Sequence, residues 1–192
     1  MTRNSIAFIG SHNSGKTTLA RSLAQVLTGV GYSVYLVPEN IHRCPYRINE
    51  DTILEAQSWI FQNMKDCTEE ALRSDADFII FDRSVLDHVP YTLRAIEHSR
   101  ISAQDGVKLV SATLEYWATL GESAPKLFYC LPLQEIRADG VRSTSKTFQT
   151  EIDCIYRQFL RSYQIPYFVV SREFSGSGLL RLSDLLVSPS IG

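Results

Sequence analysis

The chain lacks any long hydrophobic run. None of its apolar stretches is long enough to span a bilayer, and no apolar segment with a cleavage site follows its first residues. Because no membrane-targeting signal is present, we expect a cytoplasmic protein with no membrane partner.

Cysteine is also scarce, and the few cysteines are not paired in sequence. The four cysteines stand at positions 44, 67, 130 and 154, with no Cys-x-x-Cys pair and no zinc-binding spacing. This pattern predicts reduced thiols that lie mostly in the core, as in a cytosolic protein.

The chain has no excess of charge of either sign. It carries 19 Lys and Arg against 21 Asp and Glu, a formal net charge of −2, and no basic run. A polynucleotide-binding protein usually presents a basic face, so we do not expect nucleic acid as a partner. With 192 residues, 44% of them hydrophobic, the sequence predicts one globular domain over residues 1–192.

Short apolar runs alternate with segments of helical spacing. The five runs cover residues 5–9, 34–37, 78–81, 127–131 and 167–170. Helical spacing recurs over residues 19–27, 53–71, 87–98, 103–120, 148–163 and 179–186, and Asn49 or Asp51 is a candidate cap for the second of these helices. In the helix over 103–120, Val107 is expected on the packed face. Such alternation predicts an α/β protein with three α/β/α layers and a five-stranded parallel sheet.

A complete phosphate-loop motif follows the first apolar run. Residues 10–17 read Gly-Ser-His-Asn-Ser-Gly-Lys-Thr, which matches Gly-x-x-x-x-Gly-Lys-Thr between a strand and a helix. Its glycines let backbone amides surround a phosphate, and the helix adds its positive N-terminal end. Lys16 would contact the β- and γ-phosphates, and the Thr17 hydroxyl would bind Mg²⁺. His12 is interpreted as a spacer. The predicted nucleotide-binding residues are Gly10, Asn13, Ser14, Gly15, Lys16, Thr17 and Thr18.

A second acidic position ends the third apolar run. Asp82 follows residues 78–81, and the carboxyl ends of parallel strands converge on a ligand crevice. We therefore expect Thr17 and Asp82 to hold Mg²⁺. Arg83, directly after it, is a candidate for stabilising charge on a transferred phosphoryl group.

Taken together, these motifs resemble the nucleoside and nucleotide kinase branch of the P-loop NTPase fold. The resemblance rests on residues 10–17, Pro38-Glu39, Asp82-Arg83-Ser84 and a polar segment that includes Arg137 and Arg142. The chain is similar to deoxynucleoside kinases and to the ribosylnicotinamide-kinase type of ATP-binding domain. It implies a single P-loop kinase-like domain with a short lid at about residues 134–148.

The resemblance also implies roles for individual residues. Glu39 matches the general base of the deoxynucleoside kinases, and Gln57 and Gln62 are both candidates to face the acceptor. Asp82 stands where that family has a glutamate one methylene longer. Arg142 would contact phosphates from the lid, and Arg137, with residues 171–177, would lie near the adenine.

The implied activity is transfer of the γ-phosphate of ATP, with Mg²⁺, to a hydroxyl of a small acceptor that is nucleoside-like or phosphorylated. The arginines at positions 43, 47, 83 and 94 would suit a phosphorylated acceptor. The alternatives are a regulatory P-loop ATPase without an acceptor and a polynucleotide 5′-hydroxyl kinase. No Asn-Lys-x-Asp motif is present, which disfavours a Ras-like GTPase. The sequence leaves open the acceptor's identity, the preference for ATP or GTP, and whether the chain forms a homodimer.

Overall fold

A computed structural model describes residues 4–133 and 143–170. Within these residues, five parallel strands form one sheet in the order β2-β3-β1-β4-β5. The expected parallel sheet is therefore confirmed. Because β1 and β3 are neighbouring parallel strands, the loops that follow them begin at the same edge of the sheet. The strands are β1 (Asn4–Ile9), β2 (Val34–Val37), β3 (Phe78–Asp82), β4 (Lys126–Cys130) and β5 (Phe168–Val170).

Five α-helices connect or flank these strands in the described part of the chain. They are α1 (Lys16–Gly29), α2 (Leu54–Leu72), α3 (Val89–Glu97), α4 (Ala103–Leu120) and α5 (Lys146–Ser162). Short 3₁₀ turns cover Ile41–Arg43, Asn49–Asp51, Val85–His88 and Gly121–Ser123. The expected helix after β5 and most of the expected lid lie outside the described residues.

The alternation of side chains along the strands produces two cores. On one face, Phe8, Ile80 and Phe128 pack with the apolar side of α1. On the opposite face, Ile79 and Tyr129 pack with residues from α2, α3, α4 and α5. Because the strands β1, β3 and β4 are buried on both faces, the fold has the three α/β/α layers that the sequence predicts.

The start of α2 differs from the sequence prediction. Neither Asn49 nor Asp51 caps this helix: both belong to a separate 3₁₀ turn, and Ile53 precedes Leu54 in an extended conformation. Asn49 adopts a positive φ of 63°, which turns the chain before the helix begins.

Two further expectations about burial were wrong. Of the four cysteines, all free, only Cys130 is buried, whereas Cys154 is exposed and the other two are partly buried. Val107, expected on the packed face of α4, is 56% exposed. No helix in the described residues is long and apolar enough to cross a membrane.

Candidate active site

The phosphate loop joins β1 to α1 through two glycines that the backbone requires. Gly10 has a φ of 132°, and a Cβ there would lie 2.6 Å from the Cys130 carbonyl oxygen. Gly15 has a φ of 84° and immediately precedes α1. Side chains disfavour both conformations, so the loop's path depends on glycine at each end.

Lys16 is the first residue of α1, and its side chain reaches back into this loop. Its Nζ donates hydrogen bonds to the carbonyl oxygens of Gly10 at 2.9 Å and Ser11 at 2.5 Å, and to Ser14 Oγ at 3.1 Å. Burial and, second, the positive charge of Arg83 lower the pKa of Lys16 to about 8. The ammonium is thus held by neutral acceptors, and a bound anion would offer it a stronger partner.

The middle of the loop packs against two helices. His12 is 2% exposed, its amide donates to Tyr91 Oη at 3.2 Å, and its ring stacks on Phe148 with centroids 5.1 Å apart. The interpretation of His12 as a simple spacer was therefore incomplete. Sequence alone gave no signal for this contact, because α3 and α5 approach the loop only in the folded chain.

Thr17 and Asp82 line one cavity of about 220 Å³, here called the phosphate-side cavity. Asp82 is 5% exposed, and its Oδ1 is buried without a hydrogen-bond partner in the described residues. An orphaned buried carboxylate oxygen favours a cation. A hydroxyl and a carboxylate are ligands that suit Mg²⁺, which proteins often hold with one or two side chains plus phosphates. The cavity is lined by Thr17, Ala20, Arg21, Leu36, Pro38, Glu39, His42 and Asp82.

Arg83 connects the end of β3 to Glu39. Its Nε donates to Glu39 Oε1 at 2.8 Å, and its Nη1 lies 3.6 Å from Asp87 Oδ1. Burial lowers the pKa of Arg83, but the charge of Glu39 and then those of other neighbours outweigh burial, so the net pKa is raised. The guanidinium therefore remains charged although its side chain is only 3% exposed.

The backbone of Arg83 is also unusual. Its φ is 98°, a region that non-glycine residues rarely occupy. Its amide donates to the Phe8 carbonyl oxygen at 3.1 Å, which anchors the residue to β1. Backbone strain of this kind persists where the surrounding structure holds it, and it concentrates at functional sites.

Asp87 is a site residue that the sequence analysis missed. Its Oδ2 accepts from the Ser84 amide at 2.7 Å, while Ser84 Oγ accepts from the Leu86 amide at 3.1 Å. This reciprocal pair is a capping box, whose Ser-x-x-Asp pattern is readable in the sequence. Burial raises the pKa of Asp87, and the charge of Arg83 opposes that shift.

A second cavity, here called the acceptor pocket, is lined by both Glu39 and Arg83. Gln57 is 2% exposed and lines it, whereas Gln62 is exposed and donates to Asp66 at 2.7 Å. Of the two candidate glutamines, Gln57 is therefore the one that lines this pocket. Its lining residues are His12, Glu39, Ile41, Ile48, Asn49, Gln57, Ile60, Arg83, Asp87, His88 and Tyr91.

Polar groups in the acceptor pocket are fixed by buried hydrogen bonds. Gln57 Nε2 donates to Thr52 Oγ1 at 2.6 Å, and Gln57 Oε1 is buried with no hydrogen-bond partner in the described residues. His88 Nε2 lies 2.7 Å from Thr113 Oγ1. Burial lowers the pKa of His88 to about 3, so this imidazole is neutral.

One of the predicted residues is exposed, and two others are not described by the structure. Thr18 is exposed at the start of α1. Arg137 and Arg142 lie outside the described residues, so their predicted roles stay predictions. Glu39, Lys16, Asp82 and Arg83 are brought together, as the sequence analysis expected.

The chain and its fold are similar to known proteins. A family model described as an AAA domain matches residues 5–176. The structure is similar to deoxyadenosine kinase from M. mycoides with bound dCTP, with a TM-score of 0.65, 18% identity, and coverage of 94% of this chain and 96% of that chain. The dATP complex of the same enzyme gives a TM-score of 0.64 and 18% identity over 95% of this chain and 98% of that chain.

A second similar structure is the NadR protein in complex with NR. It has a TM-score of 0.75 and 15% identity, and the match covers 98% of this chain but 53% of NadR, so the chain spans about half of NadR's length. No curated protein matches the sequence. At these identities the structural likeness concerns the fold, and the family model concerns most of the chain. The chain belongs to the AAA-domain family, and it has the three-layer α/β fold of P-loop nucleoside kinases.

Proposed function

We propose that the chain is an ATP-dependent kinase that transfers the γ-phosphate to a hydroxyl of a small nucleoside-like or nucleotide-like acceptor. The observation that carries this proposal is the location of Glu39. Glu39 lines both the phosphate-side cavity and the acceptor pocket. A carboxylate at that junction can take the proton of an acceptor hydroxyl while the oxygen attacks the phosphorus.

The arrangement around Glu39 suits a reaction that depends on alignment and charge. Arg83 orients the Glu39 carboxylate through the 2.8 Å hydrogen bond. Lys16 and Arg83 are buried cations that can offset negative charge on the transferring phosphoryl group. Mg²⁺ held by Thr17 and Asp82 would neutralise part of the phosphate charge. Arg142 is proposed as a further cation in this role.

Of these two acceptor classes, the charges of the acceptor pocket favour the nucleoside-like one, which carries no phosphate. Arg83 is the arginine among the residues that line this pocket, and its guanidinium already faces Glu39 and Asp87. Arg43 and Arg47 are exposed, and Arg94 pairs with Glu151 at 2.5 Å. A phosphorylated acceptor would therefore add negative charge to a site where carboxylates already balance the arginine.

The acceptor pocket also favours transfer to an acceptor over the alternatives. A regulatory ATPase needs no second cavity beside its phosphate site, and this one carries a buried, unpartnered Gln57 Oε1 that suits a small donor. A polynucleotide kinase would need a basic path for the strand, and the net charge of −2 gives no support for one.

Labelled-phosphate transfer tests the proposal. The wild type is incubated with Mg²⁺ and γ-labelled ATP across nucleosides, their 5′-monophosphates and vitamin-derived ribosides. We expect label on an unphosphorylated acceptor, and none with Lys16→Ala, which removes the phosphate-binding ammonium. Failure to label any acceptor, with steady release of inorganic phosphate, would contradict a kinase and favour the ATPase.

A further inference from the structure

Gln149, in the first turn of α5, is completely buried against the phosphate loop. Its Nε2 donates to the His12 carbonyl oxygen at 2.8 Å and to the Asn13 carbonyl oxygen at 3.3 Å. Its Oε1 accepts from Lys146 Nζ at 2.7 Å. The orientation of the amide is unambiguous, since carbonyls only accept and an ammonium only donates.

The two carbonyls that Gln149 binds belong to the peptide groups before Asn13 and before Ser14. The described chain has no cis peptide bond, and in a trans peptide the C=O and N–H point in opposite directions. Fixing these carbonyls toward α5 therefore turns the amides of Asn13 and Ser14 to the opposite side. Phosphate loops bind their ligand through such amides.

The loop conformation at this point needs support. Asn13 has a φ of 53°, in the left-handed region that costs energy for a side-chain-bearing residue. The Leu133 amide adds a hydrogen bond of 3.2 Å to the same Asn13 carbonyl oxygen. Phe148, the neighbour of Gln149, stacks on the His12 ring. The contacts converge on the two residues at the middle of the loop.

We propose that Gln149 is a positioning residue for nucleotide binding: it holds the carbonyls of His12 and Asn13 so that the amides of Asn13 and Ser14 face the phosphates. This role rests on the proposed function, because it assumes that the loop binds a nucleotide. Gln149 itself does not touch the nucleotide and acts through the loop backbone.

The test compares nucleotide affinity with stability. In Gln149→Leu the amide is lost at similar volume, and we expect the Kd for Mg-AMP-PNP, measured by calorimetry, to rise about tenfold. Gln158→Leu is the matched control, since Gln158 is exposed on the same helix, α5, and its Kd should equal that of the wild type. If Gln149 had a merely structural role, its replacement would lower the free energy of unfolding and leave the Kd of the folded protein unchanged.

A second variant covers the case in which Gln149→Leu does not fold. Gln149→Glu keeps the size and can still accept from Lys146, but its carboxylate cannot donate to the two carbonyls. We expect at least the same rise in Kd. A folded Gln149→Glu or Gln149→Leu protein with the wild-type Kd would overturn the role of Gln149 alone. A wild type that binds no Mg-AMP-PNP would instead remove the proposed function, and this role with it.

Discussion

Replacing Glu39 by glutamine separates proton transfer from nucleotide binding. The amide keeps the size of the side chain and an oxygen that can accept from Arg83 Nε, now 2.8 Å from Glu39 Oε1. What it loses is the negative charge and the ability to take a proton from an acceptor hydroxyl. Because the shape is conserved, the change concerns chemistry more than packing.

The magnitudes of the two effects differ. Loss of a positioned general base lowers kcat by about 10²–10⁴-fold. Loss of charge from a hydrogen bond to a buried guanidinium lowers the free energy of unfolding by about 1–2 kcal/mol, less than full removal of the partner. Asp87, with its Oδ1 3.6 Å from Arg83 Nη1, remains to balance the arginine.

The assay measures label transferred from γ-labelled ATP to the best acceptor, beside calorimetry with Mg-AMP-PNP and urea unfolding. We expect transfer to fall by at least 10²-fold while the Kd changes by less than about twofold. Glu69→Gln is the matched control, since Glu69 is exposed on α2 and lies 4.0 Å from Lys65, and it should transfer label normally. Undiminished transfer by folded Glu39→Gln would refute the assignment of Glu39 as the base.

Three further changes test the nucleotide site. The pKa of Lys16 is about 8 in the free protein, and a bound triphosphate raises this pKa. The Kd for Mg-AMP-PNP, measured by calorimetry, should therefore increase as the pH rises above 8. Lys16→Arg should abolish this pH dependence. Gly10→Ala places a Cβ 2.6 Å from the Cys130 carbonyl oxygen and should lower the free energy of unfolding in urea by at least about 2 kcal/mol. The control is Gly29→Ala, which has open space around it and should not lower this free energy. Equal stability of the two variants would contradict a backbone requirement for glycine at position 10. Asp82→Asn should raise the Mg²⁺ concentration for half-maximal ATP binding about tenfold, and an unchanged magnesium titration would exclude Asp82 as a ligand.

The sheet could be predicted from the sequence because its inner strands, such as β1 and β3, are buried on both faces. Runs such as Phe78–Asp82 are almost continuously apolar, and the carboxylate that ends the run marks the crevice. The phosphate loop was equally readable, since glycines at positions 10 and 15 meet a backbone requirement that other residues do not satisfy. Local chemistry determines these features, and local chemistry is visible in the sequence.

The missing parts of the site depend on contacts between distant segments. Gln149 lies 137 residues from His12, and in the sequence it is only one polar position in an amphipathic helix. The choice between Gln57 and Gln62 depended on which side of α2 faces the pocket. Asp87 is different, because its capping-box pattern with Ser84 was present in the sequence and was overlooked.

The most direct test of a kinase is a product balance. Purified protein is incubated with Mg-ATP, with and without the acceptor that labels best, and ADP, inorganic phosphate and phosphorylated acceptor are quantified together. We predict that ADP forms in step with phosphorylated acceptor and that little forms without the acceptor. Equal amounts of ADP and inorganic phosphate, released at the same rate whether or not any acceptor is present, would contradict phosphoryl transfer.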